Sequence, residues 1–309
     1  MLKKIIFMGT PMFAVPILKK LYQNGYQISA VYTQPPKKSN RGQQLKISPI
    51  HGISETLGLD IRSPNYLNGN EKEINFIKNL DADLAIVVAY GQIIPKEFLS
   101  LTKKGFINIH ASLLPKWRGA APIQRSIINL DNETGISIMK INSKLDAGPV
   151  CKSYKVPIYE QDNFLSLSEK LSDLASEKLL DNIDEILEGS MKFIDQDNTK
   201  ATYAKKILKS EGKINWNESA IQIIGKINGL TPTPGAWFIY KGERYKILKA
   251  ELGYKNGFTG IVANNNLEVF CKSNSLKIVE IQREGKKPQK IGEFLLGTQI
   301  KEGSDLNNA

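Results

Sequence analysis

Cysteine is nearly missing from this chain: Cys151 and Cys271 are the two among 309 residues. Far apart in sequence, they form no metal-binding or dithiol pair and read as free thiols of a reducing compartment. No apolar run approaches the ~18 residues of a membrane span. The start passes from Met1-Leu2-Lys3-Lys4 straight into Ile5-Ile6-Phe7-Met8, without the apolar core and cleavage site of a leader. A cytoplasmic protein with no membrane partner is therefore expected. Glycine is scarce where a dinucleotide would need it. The first strand-to-helix turn holds Gly9 alone instead of Gly-x-Gly-x-x-Gly, which removes most of the case for a dehydrogenase. There is no internal repeat and no low-complexity stretch. Of the two histidines, His51 has no partner signature and reads as structural.

What is present suits two domains, each long enough to bury its own core. The composition, 41% hydrophobic and 24% charged, is ordinary for a globular chain. The net charge of +11 is not. Residues 1–206 hold 27 Lys/Arg against 21 Asp/Glu, and residues 207–309 hold 15 against 10. An excess spread over both parts fits a polyanionic partner, nucleic acid first, that touches both.

Strand 3–8, helix 12–23 and strand 28–33 make a βαβ opening and predict an α/β fold with a parallel-rich sheet. Residues 34–48 follow as a polar, basic, aperiodic loop, unusually long for such a connection. Its Lys37, Lys38, Arg41 and Lys46 suit phosphate contacts. Helices are expected at 49–58 and 71–80, and a buried strand at 84–88. Further strands are expected at 106–109, 136–141 and 150–156, and a long amphipathic helix at 164–187. Periodicity then fades into a polar connecting stretch. A helix at 219–228, a rigid turn at 232–237 and short strands at 245–252, 260–262, 267–271 and 276–282 suggest a small barrel. The expected division is a catalytic domain 1–188, a linker 189–206 and an oligonucleotide-binding-type barrel 207–309.

The chemistry concentrates at 105–115. A short apolar strand carrying Asn108 ends at His110 before the turn Ser112-Leu113-Leu114-Pro115. In open α/β sheets the carboxyl ends of strands hold the ligand. Two residues apart on extended chain, Asn108 and His110 point the same way, offering an amide donor and a near-neutral proton carrier. Leu145-Asp146-Ala147-Gly148 adds a carboxylate beside a glycine turn. Together they suit acyl transfer without a metal.

Phe-Met-Gly-Thr-Pro at 7–11, Ala-Tyr-Gly-Gln-Ile-Ile-Pro at 89–95, the block from Asn108 to Ile123 and Leu-Asp-Ala-Gly at 145–148 resemble the 10-formyltetrahydrofolate-dependent formyltransferases. Arg41-Gly42 and Pro-x-Pro-Gly-Ala-Trp at 232–237 resemble the branch that acts on methionyl initiator tRNA. The resemblance implies a Rossmann-like formyltransferase domain, a linker and an oligonucleotide-binding-type barrel. It also implies transfer of a formyl group to the α-amine of tRNA-bound methionine, with no metal needed. A monomer is expected because nothing in the sequence marks an interface. Asn108, His110 and Asp146 would be catalytic. Ser112, Leu113, Leu114 and Pro115 would lie against the folate, with the backbone of Val88, Tyr90, Gly91 and Gln92 forming its pocket. Asn108 and a protonated His110 would stabilise the developing oxyanion, each such donor being worth roughly 3–4 kcal/mol. Asp146 would favour the protonated ring and orient it, or move a proton through water. Arg41 would reach the acceptor stem. The loop departs from the family pattern in having Asn40-Arg41-Gly42 for Gly-Arg-Gly and Ile47-Ser48-Pro49-Ile50-His51 for Pro-Ser-Pro-Val-Lys. Two other readings stand beside this one: a formyltransferase for a small amine, and a non-catalytic RNA-binding protein.

Overall fold

Apolar residues dominate both faces of the first strands, and they become the middle of a covered sheet. A computed structural model describes residues 3–39, 44–298 and 300–307. In chain order its elements begin with β1 (Lys4–Gly9), α1 (Val15–Gln23), β2 (Gln27–Tyr32), β3 (Lys37–Ser39), β4 (Gln44–Lys46) and α2 (Pro49–Thr56). There follow β5 (Ile61–Arg62), α3 (Glu71–Leu80), β6 (Leu84–Val88), β7 (Phe106–His110), β8 (Arg118–Gly119) and α4 (Pro122–Ile128). Next come β9 (Glu133–Lys140), β10 (Val150–Pro157), α5 (Phe164–Glu188), β11 (Tyr203–Ala204) and α6 (Ala220–Leu230). The chain closes with β12 (Ala236–Tyr240), β13 (Glu243–Gly253), β14 (Glu268–Phe270), β15 (Ser275–Arg283), β16 (Gln289–Lys290) and α7 (Ile291–Gly297). No helix among the described residues is long and apolar enough to cross a membrane.

Contacts divide the chain into two units. The first comprises residues 1–119, 134–156 and 168–203, the second 120–133, 157–167 and 204–309.

The first unit is built on a seven-stranded sheet of order β10-β9-β7-β6-β1-β2-β5. The pairs β1/β2, β1/β6, β2/β5 and β6/β7 are parallel, and β9 runs antiparallel to β7. Ile6, Met8, Ala85 and Val87 pack with Ile77 of α3 and Phe98 on one side. The alternate residues Ile5, Phe7 and Ile86 are equally buried, so both faces are covered, as a parallel sheet requires. The predicted helix at 12–23 opens as a 3-10 turn, Met12–Ala14, and is α-helical from Val15.

The stretch 34–48 differs from its expectation of an aperiodic loop. Lys37 pairs antiparallel with Lys46, Lys38 with Leu45 and Ser39 with Gln44. This hairpin is held by backbone bonds, to which hydropathy is blind. Arg41 lies outside the described residues. His51 meets Glu55 one helical turn on, Nε2 to Oε1 3.2 Å, in keeping with a structural part.

The second unit holds an antiparallel sheet, β12-β13-β15-β14 with β16 on β15, consistent with a small barrel. Trp216, Phe238, Tyr245 and Phe294 form a chain of ring contacts through its core. Ser219 and Gln222 cap α6 reciprocally. The predicted strand 260–262 makes only isolated bridges, Ile261 to Asp305 and Val262 to Val269. The turn expected at 232–237 ends early, because Ala236 and Trp237 already pair with Ile247 and Lys246. Burial pushes the Cys151 thiol up to about 11 and the Cys271 thiol up to about 12.

One buried ion pair anchors α3 to the sheet. Glu73 accepts from Arg62 Nε at 2.6 Å, Arg62 Nη2 at 2.6 Å and Tyr32 Oη at 2.7 Å. Burial alone would raise its carboxyl; the hydrogen bonds from Arg62 and Tyr32 prevail and hold it below 4.5. A depressed carboxyl contributes stability at neutral pH that is lost as pH falls through the folded value, below 4.5. Arg62→Leu should therefore cost about 3–5 kcal/mol near neutral pH. The penalty should shrink as pH falls through the carboxylate range, measured by urea unfolding at several pH values. A penalty independent of pH would contradict this account of Glu73.

Candidate active site

β7 carries Asn108 and His110 to the carboxyl end of the sheet. Asn108 pairs with Val87 on one side and Met139 on the other, and His110 pairs with Ser137. Asn108 is therefore fixed from two directions, and His110 from the β9 side. His110 is 6% exposed.

Asp146 enters from the turn after β9. Its backbone has φ 45°, a left-handed conformation that costs a non-glycine residue about 1 kcal/mol or more. Gly148 lets this turn lie flat, since a Cβ there would collide with the Lys140 carbonyl. The Asp146 carboxylate then joins three groups. Oδ1 accepts from Asn108 Nδ2 at 3.3 Å, Oδ2 accepts from the Gly119 backbone N–H at 2.8 Å, and Oδ2 lies 3.7 Å from His110 Nδ1. His110 Nε2 in turn sits 2.9 Å from the Trp117 carbonyl. Nε2 thus faces a carbonyl and carries a hydrogen, while Nδ1 is turned toward the carboxylate at longer range. Asn108 uses one amide hydrogen on Asp146, which leaves the other for a ligand oxygen.

The turn between β7 and β8 supplies the second wall. Trp117 is also left-handed, φ 61°, with its N–H bonded to Thr202 Oγ1 at 2.9 Å. Ser112 is fully buried and its hydroxyl donates to the Lys116 carbonyl at 2.6 Å. Ser137 Oγ accepts from the Leu114 N–H at 3.0 Å and contacts the Ser112 carbonyl at 2.8 Å. The Ser-Leu-Leu-Pro segment is therefore shaped by buried hydroxyls, and its peptide 114–115 is cis.

The loop after β6 leaves the strand that pairs with β7. Ala89 and Gly91 have φ 48° and 88°, and Thr10 Oγ1 donates to the Tyr90 carbonyl at 2.7 Å. The Tyr90 ring is buried among core residues, so this residue presents backbone rather than side chain. Gln92 Nε2 is occupied by the Pro64 carbonyl at 2.9 Å. Val88 closes β6 and is fully buried. Lys37 and Lys46 are exposed on the paired strands β3 and β4.

Sequence reading thus brought Asn108, His110 and Asp146 to one place, and the structure places them in contact. It missed Ser137, Thr202 and the backbone of Trp117 and Gly119. Hydroxyls and peptide groups recruited from distant segments leave no spacing signal. Among the described residues no group of three or more His, Cys, Asp or Glu is disposed to hold a metal.

Comparison with known proteins gives the same outline. Residues 3–183 match the formyl transferase family and residues 206–299 the formyl transferase C-terminal domain. The methionyl-tRNA formyltransferase of Pelagibacter ubique is 63% identical over the whole of both chains. That of Rickettsia prowazekii is 45% identical, over 96% of this chain and 97% of its own. Among solved structures, WlaRD, a sugar 3N-formyl transferase, shares the fold at TM-score 0.69 and 19% identity, over 93% of this chain and 99% of its own. HypX from Aquifex aeolicus, in complex with tetrahydrofolic acid, does so at 0.66 and 14%, over 97% of this chain and 50% of its own. The fold, the assembled site and these matches together place the chain in the formyl transferase family.

Proposed function

We propose that this chain moves the formyl group of 10-formyltetrahydrofolate to the α-amine of methionine carried on initiator tRNA. The observation that carries the reading is the meeting of Asn108, His110 and Gly119 on the Asp146 carboxylate at the carboxyl end of the sheet. The full-length identity to proteins named methionyl-tRNA formyltransferase supports the choice of acceptor.

The amine attacks the formyl carbon, a C–N bond to methionine forms and the bond to N10 of the folate breaks. Charge gathers on the formyl oxygen during attack. The free amide hydrogen of Asn108 donates to it, and the Nε2–H of His110 does so on exchanging the Trp117 carbonyl for the formyl oxygen. Asp146 orients the ring, and the proton shed by the amine passes to N10 through this pair or a water between them. Ser112, Leu113, Leu114 and Pro115 would line one side of the folate, with the backbone from Val88 to Gln92 on the other. Arg41, Lys37, Lys38 and Lys46 would grip phosphates of the acceptor stem, an attraction that weakens with salt. The functional division is a catalytic domain 1–188, a linker 189–206 and a tRNA-binding barrel 207–309. The enzyme would work as a cytoplasmic monomer, which sedimentation of the purified chain checks.

The direct test is formyl transfer to methionyl initiator tRNA in competition with elongator methionyl-tRNA and free methionine. Strong preference for the initiator is expected. Folate binding without transfer to any tRNA would instead indicate a small-amine acceptor. In the same assay Arg41→Ala should raise the KM for tRNA and leave folate affinity unchanged; equal loss of both would remove Arg41 from the tRNA contact. Asn108→Ala should lower kcat roughly 10²–10³-fold while the chain stays folded by circular dichroism. Near-normal turnover would exclude Asn108 from the chemistry.

A further inference from the structure

The segment joining the two sequence-defined halves is not slack. Ile194 exchanges both backbone hydrogen bonds with Val150, each 2.9 Å, an antiparallel bridge at the start of β10. That register carries the chain back along the Asp146 turn, with residue 196 opposite residue 148. There the Gln196 amide is fully engaged. Its Nε2 donates to the Asp146 carbonyl at 2.9 Å and the Gly148 carbonyl at 2.7 Å. Its Oε1 accepts from Arg118 Nε at 3.0 Å and Nη2 at 2.8 Å. A guanidinium can only donate and a carbonyl can only accept, so this arrangement allows one orientation of the amide.

Arg118 is 3% exposed, and its Nη2 also donates to Asn198 Oδ1 at 2.9 Å. It directly precedes Gly119, whose N–H holds the Asp146 carboxylate. Gln196 thus clasps the two segments that meet at Asp146: the turn presenting the carboxylate and the turn presenting its donor. Left-handed backbone at Asp146 must be held from outside, and two amide hydrogen bonds hold it.

We infer that Gln196, in the connecting segment, is a positioning residue of the catalytic site, acting through the Asp146 turn rather than touching substrate. The inference rests on the formyl-transfer reading above. Glutamate separates the two halves of the clasp, because it can still accept from Arg118 but cannot donate to the two carbonyls.

Gln196→Glu should lower kcat about 10- to 100-fold, the cost of a small misplacement of reacting groups, with KM for donor and tRNA within about threefold. In an Asp146→Asn background the same change should have little further effect, since its route of action is already cut. A merely stabilising residue would lower the melting temperature and leave that split and that non-additivity absent. If the glutamate variant shows no melting transition, Gln196→Met, of similar volume and without either hydrogen-bonding function, serves in its place. A kcat within about twofold of wild type, or an equal loss in both backgrounds, overturns the inference. Wild-type transfer is measured alongside, and its absence would overturn the function reading as well.

Discussion

The candidate site depends on one carboxylate being held in a place where its backbone would not choose to be. Asp146 sits in a left-handed turn, and its two oxygens gather an amide from β7, a ring from the same strand and a peptide N–H from the next turn. Its carboxylate ties the side chain of Asn108 to the turn that carries Gly119. The arrangement has the economy of an interaction that serves structure and electrostatics at once. The carboxylate's hydrogen bonds with Asn108 and Gly119 fix the direction of the amide, and the charge lies 3.7 Å from the His110 ring.

The surrounding fold explains why such a site can be rigid. Asn108 and His110 stand on a strand flanked on both sides, and the sheet beneath them is covered on both faces. The walls are peptide groups and buried hydroxyls rather than long flexible side chains. Thr10 fixes the loop after β6, Ser137 fixes the Leu114 turn, and Thr202 fixes Trp117. Groups held this way keep their directions without long side chains having to be ordered.

Much of this was legible in the sequence, for identifiable reasons. The βαβ opening, the buried strand at 84–88 and the long helix ending near 188 are strong periodic signals, and all three stand. Asn108 and His110 could be paired because strand geometry fixes the direction of side chains two apart. Asp146 was nameable from its glycine turn, but its distance to His110 is a tertiary fact. The pairing of residues 37–39 with 44–46 leaves no sequence signal because these polar strands carry no hydrophobic alternation, and the bonds that make them strands are backbone to backbone. Gln196 was invisible for a related cause. It lies in Asp-Gln-Asp-Asn-Thr-Lys, a composition that reads as connecting chain, and its importance comes from the partner it meets across a single bridge at Val150.

The measurement that bears most directly on the account is the turnover of Asp146→Asn, with donor affinity determined separately on the same protein. Asparagine keeps the size of the side chain and can still accept from Gly119, but it brings an amide where His110 needs a carboxylate. The account predicts a loss of kcat of at least about 10²-fold with donor affinity within about threefold. Turnover near that of the unaltered chain, or a loss that follows donor affinity alone, would contradict the claim that this carboxylate organises the chemistry.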